Sequence, residues 1–199
     1  MLLAVGIISF PGCARSKGRW RWGVVDPPKI WLAINAVPHY DNGMPIHPVV
    51  FILQGLPGSG KSTWARAWRD LDPGHRVIIN RDQIRFLLYR KYRGLTELQE
   101  LIVTGVERRL AVLALRDGKS IVIDATNLEA EHLAQWVALA GRHGARYERV
   151  TLLTPVDECL RRNRRRAASG GRFVPEEVIV DMSRNAQWTL EPIDSLARL

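Results

Sequence analysis

Nine residues, Gly55-Leu56-Pro57-Gly58-Ser59-Gly60-Lys61-Ser62-Thr63, constrain this chain more than any other stretch. They match G-x-x-x-x-G-K-[ST], the phosphate-binding P-loop. The flanks suit the motif as well. Val49-Val50-Phe51-Ile52-Leu53 reads as a short buried strand, and Thr63 to Arg69, free of Gly and Pro, reads as a helix. Glycines let backbone N–H groups turn toward phosphate oxygens with no Cβ in the way. The start of the helix adds its partial positive charge at the same place. Gly55, Pro57, Gly58, Ser59, Gly60, Lys61, Ser62 and Thr63 are therefore the candidate donor-phosphate residues. Lys61 would reach the β- and γ-phosphates and the Ser62 hydroxyl would ligate Mg²⁺. A chance glycine turn before a helix is the bland alternative, and a fully occupied motif with correct flanks speaks against it.

A hydrophobic content of 46% over 199 residues fills a real core and argues against a disordered chain. The net charge is +9, and most of it is arginine, because lysine occurs only at 17, 29, 61, 91 and 119. Such a balance favours polyanions by attraction and counterion release. High arginine can equally reflect genome base composition, so charge alone selects no partner. Cys13 and Cys159 are far apart and make no metal spacing. A reducing cytoplasm is the simplest setting.

Residues 1–47 read as an N-terminal extension, loosely ordered, ahead of a kinase domain over 48–199. Leu2 to Phe10 is apolar but too short to cross a bilayer. Arg15 to Trp22 mixes arginine and tryptophan, a combination that can grip single strands, and a proline-rich piece follows. A loose tail, or a true start at Met44, is the blander reading. Beyond the P-loop helix, Val77-Ile78-Ile79 reads as a second strand that ends in Asn80-Arg81-Asp82. In open α/β sheets that edge holds the ligand crevice. Asp82 is either the cap of a helix over Gln83 to Tyr89 or a carboxylate facing the crevice, with Arg85 one turn on along the same side.

A long helix is expected from about Thr96 to Arg116, with Leu98, Leu101, Ile102, Val106, Leu110 and Leu113 as its apolar stripe. Ile121-Val122-Ile123-Asp124 has the shape of a strand ending in a Mg²⁺-holding acid, and Thr126-Asn127 leave it in a loop. A helix over Glu129 to Arg142, a strand over Tyr147 to Leu153 and an arginine-rich helix over Val156 to Ala168 follow. Arg162 and Arg166 stand four apart on one face of the last. With the Ser169-Gly170-Gly171 joint and a helix from Val174-Pro175 to about Trp188, this reads as a lid over about 156–175. A solvated basic face is the plain alternative.

The P-loop segment through Arg66, Ile79-Asn-Arg-Asp-Gln-Ile-Arg85, Ile102-Val-Thr-Gly105 and Asp124-Ala-Thr-Asn-Leu128 resemble the kinase domain of the phage 5′-polynucleotide kinase/phosphatase family. Arg162-Asn163 with Arg166, then Val174-Pro175, resembles its lid. The likeness covers about Val49 to Arg184. It implies Asp82 as general base on a 5′-hydroxyl, Arg85 on the phosphate at the acceptor's 3′ side, and Thr126, with Asn127 beside it, near the acceptor. It implies Lys61 and Arg166, with Arg162, on the donor phosphates, and Ser62 on Mg²⁺. The family's acid falls one residue later, where this chain has Ala125; related P-loop kinases place it at Asp124. No phosphatase domain follows, so 3′-phosphatase activity is not expected.

The expectation is an α/β fold with three layers, a mostly parallel sheet of about four to five strands and a helical lid near the C-terminus. The expected activity is ATP- and Mg²⁺-dependent phosphorylation of nucleic acid bearing a 5′-hydroxyl, with no membrane partner. A P-loop kinase for a small hydroxyl compound, and a non-catalytic ATP-binding nucleic-acid module, are the alternatives.

Overall fold

A computed structural model describes residues 15–16, 19–20 and 47–186. The chain forms two units, Met1–Ile46 and His47–Leu199. In the first, Arg15–Ser16 pairs antiparallel with Arg19–Trp20. The apolar stretch 2–10, the proline-rich piece, the Met44 start and Trp188 lie outside the described residues.

The second unit is built on a four-stranded parallel sheet. Its strands are β1 (Val49–Gln54), β2 (Arg76–Ile79), β3 (Ser120–Ile123) and β4 (Arg146–Thr151). The order across the sheet is β2-β3-β1-β4. Parallel pairing sets Val50 beside Ile121 and Val77 beside Ile121, and it sets Phe51 beside Glu148 on the other side of β1. The helices are α1 (Lys61–Asp70), α2 (Arg81–Tyr89), α3 (Glu97–Arg116), α4 (Ala130–Arg142), α5 (Val156–Ala168) and α6 (Glu176–Asn185).

Covering a parallel sheet on both faces demands strands that are apolar at every position, and all six residues of β1 are buried. Val50 and Ile52 pack with Ile121 and Ile123 against α3 (Ala111, Ala114, Leu115) and α4 (Leu133, Trp136, Val137). Phe51 points to the opposite face. There its ring meets Trp64 and Trp68 of α1 at 5.6 and 5.3 Å between centroids. A second apolar cluster, Leu56, Leu128, Cys159, Val174 and Ile179, joins the P-loop to α5 and α6.

Helix α3 turns the other way from its leucine pattern. Leu98, Leu101, Ile102, Leu110 and Leu113 are exposed, Leu101 by 67%, and Val106 is only half-buried. The face that meets the sheet carries Val103, Glu107, Ala111, Ala114 and Leu115. Two physical reasons favour it. Alanines let the helix approach the sheet closely, and the polar residues Glu100, Thr104 and Glu107 fall on a side where α2 supplies a partner. Arg81 donates to Glu100 Oε2 at 2.8 Å, Thr104 Oγ1 at 3.0 Å and Glu107 Oε2 at 2.9 Å. The face that packs buries Glu107, and there Arg81 spares it the cost of an unpaired charge. The helix start is held as a capping box by Thr96 and Gln99.

One prediction follows from that orientation. Leu101→Ala should change unfolding stability by less than about 0.5 kcal/mol. Leu115→Ala, on the same helix but buried, should cost about 2–5 kcal/mol. Urea denaturation of the two variants checks it; equal losses would return α3 to its leucine face.

Candidate active site

Because the four strands run the same way, the connections leaving β1, β2 and β3 meet at one edge of the sheet. Backbone bonds stitch them there. Gly55 N donates to Thr126 O at 3.1 Å, and Asp124 N to Ile79 O at 2.8 Å. The P-loop, Asn80–Asp82 and Asp124–Asn127 are therefore neighbours.

Within the P-loop, Gly58 and Gly60 have left-handed φ of +86° and +105°, and Gly60 caps α1. At Gly58 space is lacking as well: a Cβ would stand 2.5 Å from the Cys159 carbonyl oxygen. The phosphate loop and the lid helix α5 thus touch through bare backbone. Thr154 Oγ1, just before α5, and Arg162 Nη1, on it, donate to Ser59 O at 2.9 and 3.4 Å and tie the other side of the loop to the same region. Cys159 sits inside this contact, where burial pushes its thiol up to about 11. It is a packing residue, not a nucleophile.

Lys61 is buried, and its Nζ donates to Gly55 O and Leu56 O, both at 2.8 Å. Burial lowers its pKa from 10.5 to about 8, against the raising charges of Asp124, Cys159 and Asp82. The unfolded chain therefore binds the more protons between pH 8 and 10.5, and this group's contribution to stability rises with pH across that window. A nucleotide phosphate against Nζ would favour the charged amine. Nucleotide binding near pH 9 should then take up a sizeable fraction of about one proton, and affinity should fall as pH rises past about 8. Calorimetry in buffers of different ionisation enthalpy measures the uptake; none at pH 9 would mean that Lys61 stays charged throughout.

Asp82 lies in the first turn of α2, but it is not the cap. Asn80 caps the helix, its side chain accepting from Gln83 N at 2.8 Å, which leaves the Asp82 carboxylate free of the backbone. Asp82 Oδ1 accepts from Arg85 Nη1 at 3.1 Å, and Oδ2 accepts from Arg172 Nη1. Arg85 is fixed in turn by Glu100, through Nε at 3.0 Å and Nη2 at 3.0 Å. Burial pushes the Glu100 carboxyl up, but hydrogen bonds from Arg85 and Arg81 carry it below the usual range.

Asp124 ends β3 with 5% exposure, and one oxygen accepts from Asn80 Nδ2 at 2.6 Å. Among the described residues no lysine or arginine forms an ion pair with it. A buried carboxylate with no cation in direct contact, though Lys61 is near enough to feel its charge, suits a hard cation, and Mg²⁺ needs only one or two carboxylates beside waters and phosphates. Asp124 with the Ser62 hydroxyl fits that ion. The described residues hold no cluster of three His, Cys, Asp or Glu side chains, so no fully proteinaceous metal cage is present among them.

Arg166 turns inward from α5. Its Nη2 donates to Asn163 Oδ1 at 3.0 Å, while its Nε is buried without a hydrogen-bond partner among the described residues. Its stem lies flat on Gly171, where a Cβ would meet Cγ at 2.7 Å. Burial and the like charge of Arg172 lower its pKa; Asp82 and Tyr92 are close enough to act the other way. Arg162 is half-exposed and also paired to Glu158. Thr126 is half-buried, with its carbonyl on Gly55. Asn127 is buried, and its Nδ2 donates to Leu53 O at 2.8 Å, so its amide braces β1 instead of facing a crevice.

Sequence reasoning passed over Glu100 and Arg172, and it named Asn80 and Asn163 only inside motifs, with no role of their own. Asn163 holds the lid to the chain beyond it, donating to Val174 O at 2.7 Å and accepting from Val174 N at 3.1 Å. The signal for Asn80 was present in Asn-x-x-Gln at a helix start. For Glu100 and Arg172 only the fold could show it, since each partner lies 15 or more positions away.

A P-loop, an acid at the end of β3, a paired acid and arginine after β2 and inward arginines on a late helix share one sheet edge. The family model described as AAA domain matches residues 50–188. The chain belongs to this family. It is a P-loop kinase domain, a class that uses ATP, and its likenesses agree. It is 24% identical over 136 residues to a protein of Autographa californica nuclear polyhedrosis virus named as a bifunctional polynucleotide kinase/RNA ligase, covering 62% of this chain and 19% of that one. It is 27% identical over 140 residues to the L-seryl-tRNA(Sec) kinase of Methanococcus maripaludis, covering 67% and 51%. A chain from the structure of the Pnkp1/Rnl/Hen1 RNA repair complex superposes with a TM-score of 0.66 at 28% identity, over 74% of this chain and 47% of that one. The P-loop kinase described here thus spans from about a fifth to about half the length of the proteins it matches. None of its described helices is long and apolar enough to cross a membrane.

Proposed function

We propose that this P-loop kinase transfers the γ-phosphoryl group of ATP to the 5′-hydroxyl of a DNA or RNA end. The observation that carries this reading is the Asp82 carboxylate flanked by Arg85, at the sheet edge where its charge reaches Lys61 and Arg166. A carboxylate can take a proton from an acceptor hydroxyl, and a guanidinium beside it can hold the phosphate that follows in a polynucleotide.

In this mechanism the backbone N–H groups of Gly58, Gly60, Lys61 and Ser62 and the amine of Lys61 hold the donor phosphates, while Ser59 N–H and Thr63 N–H bind the loop's own carbonyls. Ser62 and Asp124 would hold Mg²⁺, which supplies charge neutralisation on those phosphates when bound. The acceptor oxygen bonds to the γ-phosphorus while the bond to the bridging oxygen breaks and ADP leaves. The acceptor's proton passes to Asp82. Arg166, with Arg162 behind it, neutralises the equatorial oxygens in flight.

The test is γ-labelled ATP with Mg²⁺ and 5′-hydroxyl DNA and RNA oligonucleotides. Label at the 5′ end supports the reading, and the relative rates report sugar preference. A protein that binds ATP and labels neither would overturn it. The likeness to a seryl-tRNA kinase favours a second reading, in which the acceptor is a hydroxyl on another group. Label on a small hydroxyl compound or on charged tRNA, with none on the oligonucleotides, would select it.

A further inference from the structure

Arg172 belongs to none of the expected site residues, yet it touches the proposed base. It follows the Gly170-Gly171 joint at the end of the lid, and Gly170 has a left-handed φ of +73°. Its Nη1 donates to Asp82 Oδ2. Its guanidinium carbon stands 5.9 Å from the centre of the Tyr92 ring, which is itself stacked on Phe86 at 5.0 Å. Arg85 occupies the other oxygen of Asp82. Both carboxylate oxygens are thus engaged by guanidinium groups, one from α2 and one from the lid.

The two arginines are held differently. Glu100 locks Arg85 through both Nε and Nη2, and α2 carries it rigidly. The backbone before Arg172 is fixed, Gly171 N donating to Arg166 O at 2.9 Å, so its freedom lies in the side chain, which beyond Asp82 meets an aromatic face. A cation–π contact tolerates sliding over the ring, whereas a forked ion pair does not. Arg172 is therefore the partner that can leave.

We propose that Arg172 is an acceptor-sensing residue: it holds Asp82 in this conformation and passes to a phosphate of the acceptor strand, which frees the Asp82 oxygen to take the hydroxyl proton. This rests on the polynucleotide reading above. The chemistry it recognises is a nucleotide with a phosphate on its 3′ side. A phosphate dianion or diester competes with a carboxylate for a guanidinium on equal terms, so the exchange swaps one charge-assisted pair for another. Water and unphosphorylated nucleosides offer Arg172 no such partner. They would meet a base still engaged, and γ-phosphoryl transfer to water, which also needs a proton acceptor, would stay slow.

The experiment compares wild type, Arg172→Ala and Arg172→Lys. It reads KM and kcat for a 5′-hydroxyl oligonucleotide, and ATP hydrolysis with no acceptor added. Arg172→Ala should raise the acceptor KM about tenfold or more, the scale of one charge-assisted bond. It should raise acceptor-free hydrolysis several-fold and leave the KM for ATP within about twofold. Arg172→Lys should recover part of both effects. An unchanged acceptor KM or unchanged hydrolysis would overturn the proposal. So would a raised KM for ATP with no recovery in the lysine variant, which marks a lid that has lost its shape. Should wild type label no oligonucleotide, the polynucleotide reading falls. Arg172 as brake on Asp82 would still be judged by the hydrolysis assay.

Discussion

Asp82→Asn should lower kcat by about 10²- to 10⁴-fold, the range over which positioned general bases act, and leave the KM for ATP nearly unchanged. The substitution keeps size and shape. What it removes is the charge that pairs with Arg85 and Arg172 and that we propose accepts the acceptor's proton. Because Asn80 and not Asp82 caps α2, the helix should remain intact, and Tm should move by only a few degrees. Steady-state kinetics at saturating oligonucleotide, with thermal unfolding alongside, checks both halves. Near-normal turnover would remove Asp82 from the role of base and leave it as an anchor for the two arginines.

The second large effect belongs to Arg166. Arg166→Ala should lower kcat by about 10³-fold or more, the scale of an arginine that neutralises a phosphoryl group in flight, with a much smaller change in acceptor KM. Its Nε is buried and unpaired among the described residues, an arrangement that costs about 1–3 kcal/mol if nothing binds there. The alanine variant should therefore be as stable as wild type, or slightly more so, while its rate collapses. Arg166→Lys keeps a charge but not the planar fork and should recover only part of the rate. A variant whose acceptor KM rises while kcat holds would make Arg166 a nucleic-acid contact instead.

What could be read in advance was whatever lies close together in the chain. The P-loop, the strand before it and the helix after it occupy one continuous run, and local rules of turn and period suffice for them. The acids that follow β2 and β3 could be read for the same reason, since a strand that runs into polar residues shows its end within a few positions. Helix α3 could not. Counting leucines assumes that apolar burial outweighs everything else, whereas here Glu107 and Glu100 need Arg81, an arginine on another element. The pairing of Arg172 with Asp82 spans 90 positions and depends on how the lid returns across the sheet. Asp82 as a cap was a fair local alternative that lost to Asn80, because Asn80 fills two needs at once: it caps α2 and holds Asp124.

The site also divides along the chain. Residues proposed for the donor come from the P-loop, Asp124 and the lid. Of those proposed for the acceptor, Asp82 and Arg85, with Glu100 behind them, fall between positions 80 and 104, on α2 and the start of α3, while Thr126 and Arg172 come from elsewhere in the chain. That segment is tied to the phosphate side by Asn80 on Asp124 and Asp82 on Arg172. Exchanging it with those two contacts kept would give a new acceptor to an unchanged phosphate donor. A chimaera that carries residues 80–104 of one relative in the frame of another would inherit its acceptor from the graft.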